Sequence, residues 1–216
     1  MAQAPNQVWS WDITKLAGPE RGVYYDLFVI TDIYSRYIID WMIAETETGE
    51  IAEEFIRHAL DSQGIHRNQL TLHADRGTSM TSKSVAQLLV DLGVTRSHSR
   101  PSVSNDNPYS EAQFKTLKHC PTFPARFGSI QDTRTFCDTF FDHYNHVHRH
   151  SGIELHTPAS VHYGTATKIS EQRAATLNAA YTANPARFRH QPPKPPNLPT
   201  VAWINEPTQE ALIQST

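Results

Sequence analysis

Residues 8–15, Val-Trp-Ser-Trp-Asp-Ile-Thr-Lys, decide the fold together with the almost unbroken apolar run at Val23–Thr31. Large apolar and β-branched residues in this density predict two strands, and Tyr37–Ala44 predicts a third. Gly18-Pro19 and Tyr34-Ser35-Arg36 mark the turns between them. Three strands so close along the chain indicate an antiparallel meander, with the second strand inside the sheet.

Helices and strands alternate after this meander. A helix that Thr48 can cap and Gly64 closes precedes a strand at Leu70–Ala74. A helix beginning at Thr81 or Ser82 then precedes a strand at Val94–Ser97. The chain is therefore predicted to be α/β, with five strands. The later predicted segments are a loop at Ser99–Asn107 and helices at about Pro108–His119 and Ile130–His148.

The composition changes after Gly164. An alanine-rich segment, Glu171–Ala183, has a helical pattern, whereas Gln191–Pro199 holds too many prolines for a helix or a central strand. Val201–Asn205 predicts one short strand that docks on the core or on another subunit. We therefore expect a core at residues 1–164 and a C-terminal arm at 165–216.

Charge gives a mixed signal about partners. The net charge of −3 over 216 residues counts against a nucleic-acid partner, because such domains are usually basic. The charge is uneven, however, since five basic and three acidic residues lie from residue 165 onward. Carboxylates that bind metal ions would also have their charge neutralised. Because no apolar run could span a bilayer and the N-terminus lacks a signal-peptide pattern, we expect a cytoplasmic protein.

Three acidic residues stand in contexts suited to a divalent metal: Asp12 within a strand, Asp75 after one, and Glu111 on a helix. Hard oxygen ligands from separate segments are what Mg²⁺ needs, and a two-metal site holds its ions roughly 3.5–4 Å apart. Each acid alone has a simpler interpretation: a solvent-facing Asp12, a turn-forming Asp75, or a Glu111 paired with Lys115 and Lys118 on one helix face.

Cysteine and histidine give weaker signals. Cys120 and Cys137 form no Cys-x-x-Cys pair, so they are expected to be packing residues. Four histidines crowd one segment, but their spacing does not put them on one helix face, so a metal role there is disfavoured. They are His143, His146, His148 and His150.

Several motifs occur in order along the chain. They are Trp-Ser-Trp-Asp-Ile-Thr-Lys-Leu, Val-Ile-Thr-Asp-Ile-Tyr-Ser-Arg, Leu-His-Ala-Asp-Arg-Gly-Thr, Ser-Asn-Asp-Asn-Pro-Tyr-Ser-Glu, Phe-Lys-Thr-Leu-Lys and Tyr-Asn-His-Val-His-Arg-His-Ser-Gly-Ile. Together they resemble the integrase-type (DDE) catalytic core of bacterial insertion-sequence transposases, over about residues 6–164. The 35 residues between Asp75 and Glu111 match the spacing of that family.

The resemblance implies a ribonuclease H-like fold with a mixed sheet flanked by helices. It also implies that Asp12, Asp75 and Glu111 bind two Mg²⁺ or Mn²⁺ ions for DNA strand cleavage and strand transfer during transposition. Lys115 and Lys118 match positions that approach the terminal DNA in integrases. Arg149, with Asn145 and His150, fits a pattern that is structural or faces DNA, and we favour the structural role.

The resemblance also implies partners and leaves alternatives open. Transposition joins two DNA ends, so a homodimer or higher oligomer is expected on nucleoid DNA. The resembling proteins carry an N-terminal helix-turn-helix region, and here Met1 stands only eleven residues before Asp12. A separate helix-turn-helix protein is therefore a candidate partner. The alternative functions are a non-catalytic DNA-binding or assembly fragment that modulates an intact transposase and, more remotely, a nuclease acting on RNA–DNA hybrids.

Overall fold

A five-stranded mixed sheet forms the centre of the computed structural model, which describes residues 1–75, 77, 79–99, 107–189 and 191–205. The strand order is β3-β2-β1-β4-β5. The first three strands pair antiparallel, which confirms the meander, and β4 and β5 run parallel to β1. The strands are β1 (Val8–Ala17), β2 (Tyr24–Asp32), β3 (Ile38–Ala44), β4 (Thr71–Ala74) and β5 (Thr95–His98).

Local capping signals place the first helices where the sequence predicts them. The Thr48 side chain accepts a hydrogen bond from the Ile51 N–H at the start of α1, and Ser82 does the same for Val85 at α2. Each cap satisfies a backbone donor that the first helical turn leaves unpaired. The helices are α1 (Gly49–Ser62), α2 (Lys83–Asp91), α3 (Pro108–Lys118), α4 (Ile130–His146), α5 (Pro158–His162) and α6 (Ala166–Ala183).

Helices cover both faces of the sheet. On one face α1 and α2 pack on a wholly apolar surface that includes Trp9, Trp11 and Phe28. On the opposite face the aromatic and aliphatic residues of α3 and α4, such as Phe114 and Phe141, pack on β1, β2 and β3. Because successive side chains of a strand point to opposite faces, β1 contributes to both layers. Burial on both sides makes the sheet a rigid support for polar groups at its surface.

The C-terminal region differs from its prediction in two places. The five-residue helix α5 was not predicted, because it is too short to show a helical period. The predicted strand at Val201–Asn205 is wrong as a strand: Ala202 makes only an isolated antiparallel bridge with Ala2. This segment docks on the core of its own chain, where Ala202 and Ile204 pack with Val8.

Two further predictions meet the limits of the structure. Most of the predicted loop Ser99–Asn107 lies outside the described residues, at positions 100–106. Across the described ranges, no helix combines the length and the apolar character needed to cross a membrane.

Candidate active site

The site begins with the alternation of β1. Trp9 and Trp11 lie on the face covered by α1 and α2, so Ser10, Asp12 and Thr14 point to the opposite face, beneath α3. Asp12 lies within the strand and is half-buried. Its carboxylate accepts a hydrogen bond from the Ile13 N–H at 2.8 Å. The described part of the chain offers it no salt bridge.

The parallel pairing of β1 and β4 brings the second acid to the first. In this register Trp11 stands opposite Ala74, and both belong to the apolar layer under α1 and α2. Asp12 follows Trp11 on β1, and Asp75 is the first residue after the end of β4, so we assign both to the opposite face, side by side. Asp12 and Asp75 are 63 positions apart in the chain, and the pairing of β1 with β4 makes them neighbours.

The start of α3 docks directly on β1. Asn107 precedes the helix, but its side chain makes no capping hydrogen bond. Its Oδ1 instead accepts a hydrogen bond from Ser10 Oγ, and its Nδ2 donates to the Trp11 carbonyl at 3.4 Å. Ser110 Oγ lies 2.6 Å from Ser10 Oγ. All these groups are buried, so they fix the helix start against the strand.

The end of α3 is attached to the same strand. Lys118 Nζ donates to Thr14 Oγ1 at 2.7 Å. The eight residues from Ser110 to Lys118 rise about 12 Å along a helix, and the four from Ser10 to Thr14 about 13 Å along a strand. The helix therefore runs alongside β1, with Asp12 between its two attachment points. Glu111, the neighbour of Ser110, is exposed on the first turn.

Electrostatics supports the proximity of the three acids. The pKa of Asp12 is raised from 3.8 to about 7, chiefly because burial disfavours the charged form. The carboxylates of Asp75 and Glu111 raise the pKa further, whereas the Ile13 N–H and the Lys118 ammonium lower it. A half-buried carboxylate facing two others would be stabilised by a multivalent cation.

The side chains are not yet arranged as a ligand set. Among the residues that the structure describes, no group of three or more His, Cys, Asp or Glu side chains could hold a metal ion as it stands. The backbone neighbours are in place, so any ligand set would be completed by side-chain rotation.

Comparisons with known proteins identify the family of the chain. Two sequence families, both described as "Integrase core domain", match residues 2–104 and 92–158. The chain belongs to the integrase core family. Together the two matches span β1 through the start of α5 and include all three acids.

Individual relatives of this integrase core are bacterial transposases. It is 29% identical over 161 residues to the transposase for insertion sequence element IS904 of Lactococcus lactis, covering 73% of this chain and 61% of that protein. It is 30% identical over 151 residues to transposase InsF for insertion sequence IS3A of Escherichia coli, covering 69% and 51%. The chain thus spans about half to three fifths of the length of these relatives.

A solved retroviral structure has the same fold. The HTLV-2 integrase catalytic core domain, described in complex with magnesium in a dimeric form, superposes with a TM-score of 0.55 at 17% identity. The superposition covers 74% of this chain and 97% of that one. The ribonuclease H-like fold, predicted from the motifs, is confirmed.

Residues around Asp75 complete the site of this integrase core and were not predicted. Ser99 Oγ donates to Asp75 Oδ1 at 2.5 Å and lies 3.5 Å from His73 Nε2. His73 Nδ1 lies 2.9 Å from Ser97 Oγ, and His73 is buried. Because Ser10 lies between Trp9 and Trp11, the sequence indicates that one face of β1 is polar. Nothing local indicated that Ser99 would reach Asp75.

The candidate DNA contacts fall in two places. Lys115 is exposed on α3 one turn after Glu111, and Lys118 bonds Thr14 beside Asp12. Arg149 lies elsewhere: it follows α4 and donates to the Leu155 carbonyl at 3.2 Å. Within the described residues Arg149 makes no hydrogen bond or ion pair with the triad.

The neighbours of Arg149 have structural contacts. The Asn145 amide accepts from the Ile38 N–H at 2.9 Å and donates to the Ile38 carbonyl at 3.0 Å, so it holds the edge strand β3. His150 Nδ1 accepts from the Gly152 N–H at 3.1 Å. The pKa of His150 is lowered to about 4 by burial and by the nearby Arg36. These residues support the fold of the region.

Proposed function

We propose that this chain performs metal-dependent DNA strand cleavage and strand transfer as the catalytic core of an insertion-sequence transposase. The observation that carries the proposal is the register of β1 with β4, which sets Asp12 beside Asp75 under the helix that bears Glu111. Transposase relatives and the integrase core family support it. We place the catalytic core at residues 1–164 and a C-terminal arm at 165–216.

The residues fit a divalent metal. Asp12, Asp75 and Glu111 offer hard carboxylate oxygens from three segments, and the raised pKa of Asp12 reflects a buried acid without a salt-bridge partner in the described residues. We propose two Mg²⁺ or Mn²⁺ ions, which would activate the attacking water or, after cleavage, the released 3′-hydroxyl, and stabilise the charge that develops on the phosphate. The magnesium-bound retroviral core supports this choice.

The protein itself would orient the DNA. Lys118 lies beside Asp12 and Lys115 stands free on the same helix, so both ammonium groups can bind phosphates flanking the cleaved bond. The rigid attachment of α3 to β1 at Asn107 and Lys118 would hold Glu111 at a fixed distance from Asp12. No side chain of the triad needs to form a covalent intermediate.

A second DNA contact is proposed at the C-terminal arm. Arg149, Arg173 and Lys194 line a groove of about 610 Å³ between α6 and the proline-rich segment, with Glu154 as the acid of its lining. The guanidinium groups of Arg149 and Arg173 both donate to the Leu155 carbonyl, which brings two positive charges together. In the described residues none of the three cations is paired with a carboxylate, so a phosphate could compensate their charge.

Assembly and partners extend the same proposal. Two DNA ends must be joined, so we propose a homodimer or higher oligomer that acts on nucleoid DNA in the cytoplasm. The HTLV-2 integrase core, solved in dimeric and trimeric forms, supports an oligomer. A separate helix-turn-helix protein is proposed to supply recognition of the element ends.

The decisive experiment is Mn²⁺-dependent nicking and strand transfer by the purified chain and by Asp12→Asn, Asp75→Asn and Glu111→Gln. Each amide keeps the side-chain size but removes the anionic ligand, so activity should fall at least about a thousand-fold. Asp142→Asn is the matched control, because Asp142 is exposed on α4 and its loss should leave the rate unchanged. Activity retained in the three triad variants would sink the proposal.

A non-catalytic assembly role is the second candidate. It is favoured by one observation, the lack of a ready three-ligand group among the described residues. Such a fragment would bind DNA or an intact transposase without any metal-dependent activity. The outcome that selects it is tight binding to an intact transposase together with no nicking by the wild-type chain at any Mg²⁺ or Mn²⁺ concentration.

A further inference from the structure

Tyr109 connects the helix that bears Glu111 to two distant parts of the chain. It is the second residue of α3 and precedes Glu111 by two positions. Its hydroxyl donates to the Trp203 carbonyl at 2.7 Å. Its ring lies beneath the Arg36 guanidinium, with the Arg36 Cζ 4.2 Å from the ring centroid. The side chain is half-buried between these two partners.

The segment that receives the Tyr109 hydroxyl is itself anchored to the core. Ala202 and Ala2 exchange two backbone hydrogen bonds of 2.8 Å each. Both alanines are buried, and Ile204 packs in the same cluster as these alanines and Ile33, the residue that follows β2. Residues 201–205 therefore form a fixed docking point, although they follow Glu111 by about 90 residues.

The partner on the other side of the ring is also held in place. Arg36 adopts a left-handed backbone conformation with φ of 65° in the turn between β2 and β3. The buried Asp32 carboxylate fixes this turn by accepting from the Tyr34 and Ser35 N–H groups at 3.0 and 2.7 Å. One Arg36 Nη is buried with no hydrogen-bond partner among the described residues, so the ring is a principal contact of the guanidinium.

The start of α3 needs such a second attachment. The Asn107 side chain is hydrogen-bonded to β1, so it does not cap the helix. The contacts of Asn107 and Ser110 with β1 hold one side of the first turn, and Tyr109 holds another. Two attachments in different directions restrict rotation of the first turn about the strand contact, which a single attachment would allow.

We propose that Tyr109 is a positioning residue through which the C-terminal segment 201–205 sets the orientation of α3, and hence of Glu111, toward Asp12 and Asp75. The effect of Tyr109 on catalysis rests on the proposed function. The mechanical coupling of segment 201–205 to α3 does not. It makes residues 201–205 part of the catalytic unit, although they lie beyond the proposed core boundary at residue 164.

The test uses the full chain with Tyr109→Phe, which removes the hydroxyl and keeps the ring under Arg36. Without metal, amide hydrogen exchange in the first turn of α3 should become about two- to ten-fold faster, as expected for the loss of one hydrogen bond. The Mn²⁺ concentration that half-saturates the protein should rise by a similar factor, while the nicking rate at saturating Mn²⁺ changes less. Tyr163→Phe is the control, since its hydroxyl bonds Tyr37 away from α3.

Coupling to the C-terminal segment is tested with Ala202→Pro, which removes the N–H that bonds Ala2. Exchange in the first turn of α3 should accelerate as in Tyr109→Phe, and the double variant should be no worse than either single variant. If Ala202→Pro does not fold, Ile204→Ala loosens the same segment without changing the backbone. Additive effects, or unchanged exchange in Tyr109→Phe, would overturn the inference. A wild-type chain that never nicks DNA would defeat only the proposed function, because hydrogen exchange still reads the coupling.

Discussion

The two faces of β1 show how one strand can serve stability and chemistry separately. Trp9 and Trp11 point into the hydrophobic layer under α1 and α2. Ser10, Asp12 and Thr14 point toward α3, where Ser10 and Thr14 make hydrogen bonds with side chains of that helix. The apolar face gains free energy from burial, whereas the polar face places a carboxylate where it is poorly solvated.

Because the two faces differ, substitutions at adjacent residues of β1 should affect different properties: folding stability at one residue and activity at the next. A change on the apolar face should cost folding free energy. A change at the buried acid should remove activity and increase the stability of the metal-free protein. Three of the predictions below test this division, in order of decreasing effect, and a last one concerns a histidine away from β1.

The largest effect is expected for Trp11→Ala. Trp11 is 1% exposed in the layer under α1 and α2, so its truncation leaves a large cavity. The free energy of unfolding should fall by about 3–5 kcal/mol, measured by urea denaturation. Ser10→Ala, the neighbour on the other face, is the comparison and should lose only about 1–2 kcal/mol. Equal losses for both would contradict the division.

Asp12→Asn should have the opposite sign in the metal-free protein. Burial raises the pKa of Asp12 to about 7, above its ordinary value of 3.8, so ionisation disfavours the folded state. The stability contribution of this group is present below about pH 4 and is lost as pH rises toward 7. At pH 8 the amide should therefore raise the melting temperature of the metal-free protein while abolishing activity.

Metal titration tests whether the raised melting temperature of Asp12→Asn comes from the loss of a metal-binding carboxylate. Mg²⁺ or Mn²⁺ should raise the melting temperature of the wild type at pH 8 and leave that of Asp12→Asn nearly unchanged. Glu20→Gln, at an exposed position in the turn after β1, is a matched control. A wild type that gains nothing from either metal would contradict the proposed ligand role of Asp12.

Much of the fold could be predicted because its signals are local. Thr48 and Ser82 cap α1 and α2 as predicted, since an Ncap hydroxyl needs only the next three residues. The meander was predicted from consecutive apolar runs. The short helix α5 was missed because five residues show no helical period. Val201–Asn205 was wrongly predicted as a strand, because its bridge depends on Ala2 at the other end of the chain.

The sequence predicts the acids of the candidate site but not the contacts around them. Asp12, Asp75 and Glu111 follow from motif order, and their convergence depends on a parallel register that no local pattern specifies. Asn107 illustrates the limit. Its side chain makes no capping hydrogen bond with α3 and bonds Ser10 and the Trp11 carbonyl instead, a contact that the local sequence does not indicate. Tertiary contacts outcompete local capping where the strand offers a buried donor and acceptor.

A smaller effect is expected for Asn107→Ala, which tests whether α3 is held on the polar face of β1 by these bonds. Removing the amide leaves the buried Ser10 hydroxyl without one partner, so unfolding free energy should fall by about 1–3 kcal/mol. Amide exchange at the start of α3 should accelerate more than in α1. The control is Asn178→Ala on the exposed helix α6, which should be within about 0.5 kcal/mol of wild type. Equal acceleration in α1 would show a global loss rather than a loosened α3.

The last prediction concerns pH and a residue away from both faces of β1. Burial lowers the pKa of His162 to about 4, and its ring stacks on Tyr37 with centroids 4.5 Å apart. Its Nδ1 lies 3.0 Å from Ser35 Oγ, in the turn that carries Arg36. The folded pKa is below the unfolded value of 6.5, so protonation of His162 favours the unfolded state. The contribution of neutral His162 to folding stability is therefore present above pH 6.5 and is lost as pH falls toward 4.

Unfolding free energy should therefore decline by up to about 1.4 kcal/mol per pH unit from this histidine within that window. His162→Phe keeps the ring on Tyr37 but cannot titrate, so its stability should depend less steeply on pH between about 4 and 6.5. His119→Gln, at an exposed position after α3, should keep the wild-type slope. The slope is the informative quantity, because His162→Phe also loses hydrogen bonds to Ser35 and Gln63 and should be less stable at every pH. An unchanged slope would mean that His162 is not held neutral by burial, and that the acid sensitivity of the chain arises from other groups.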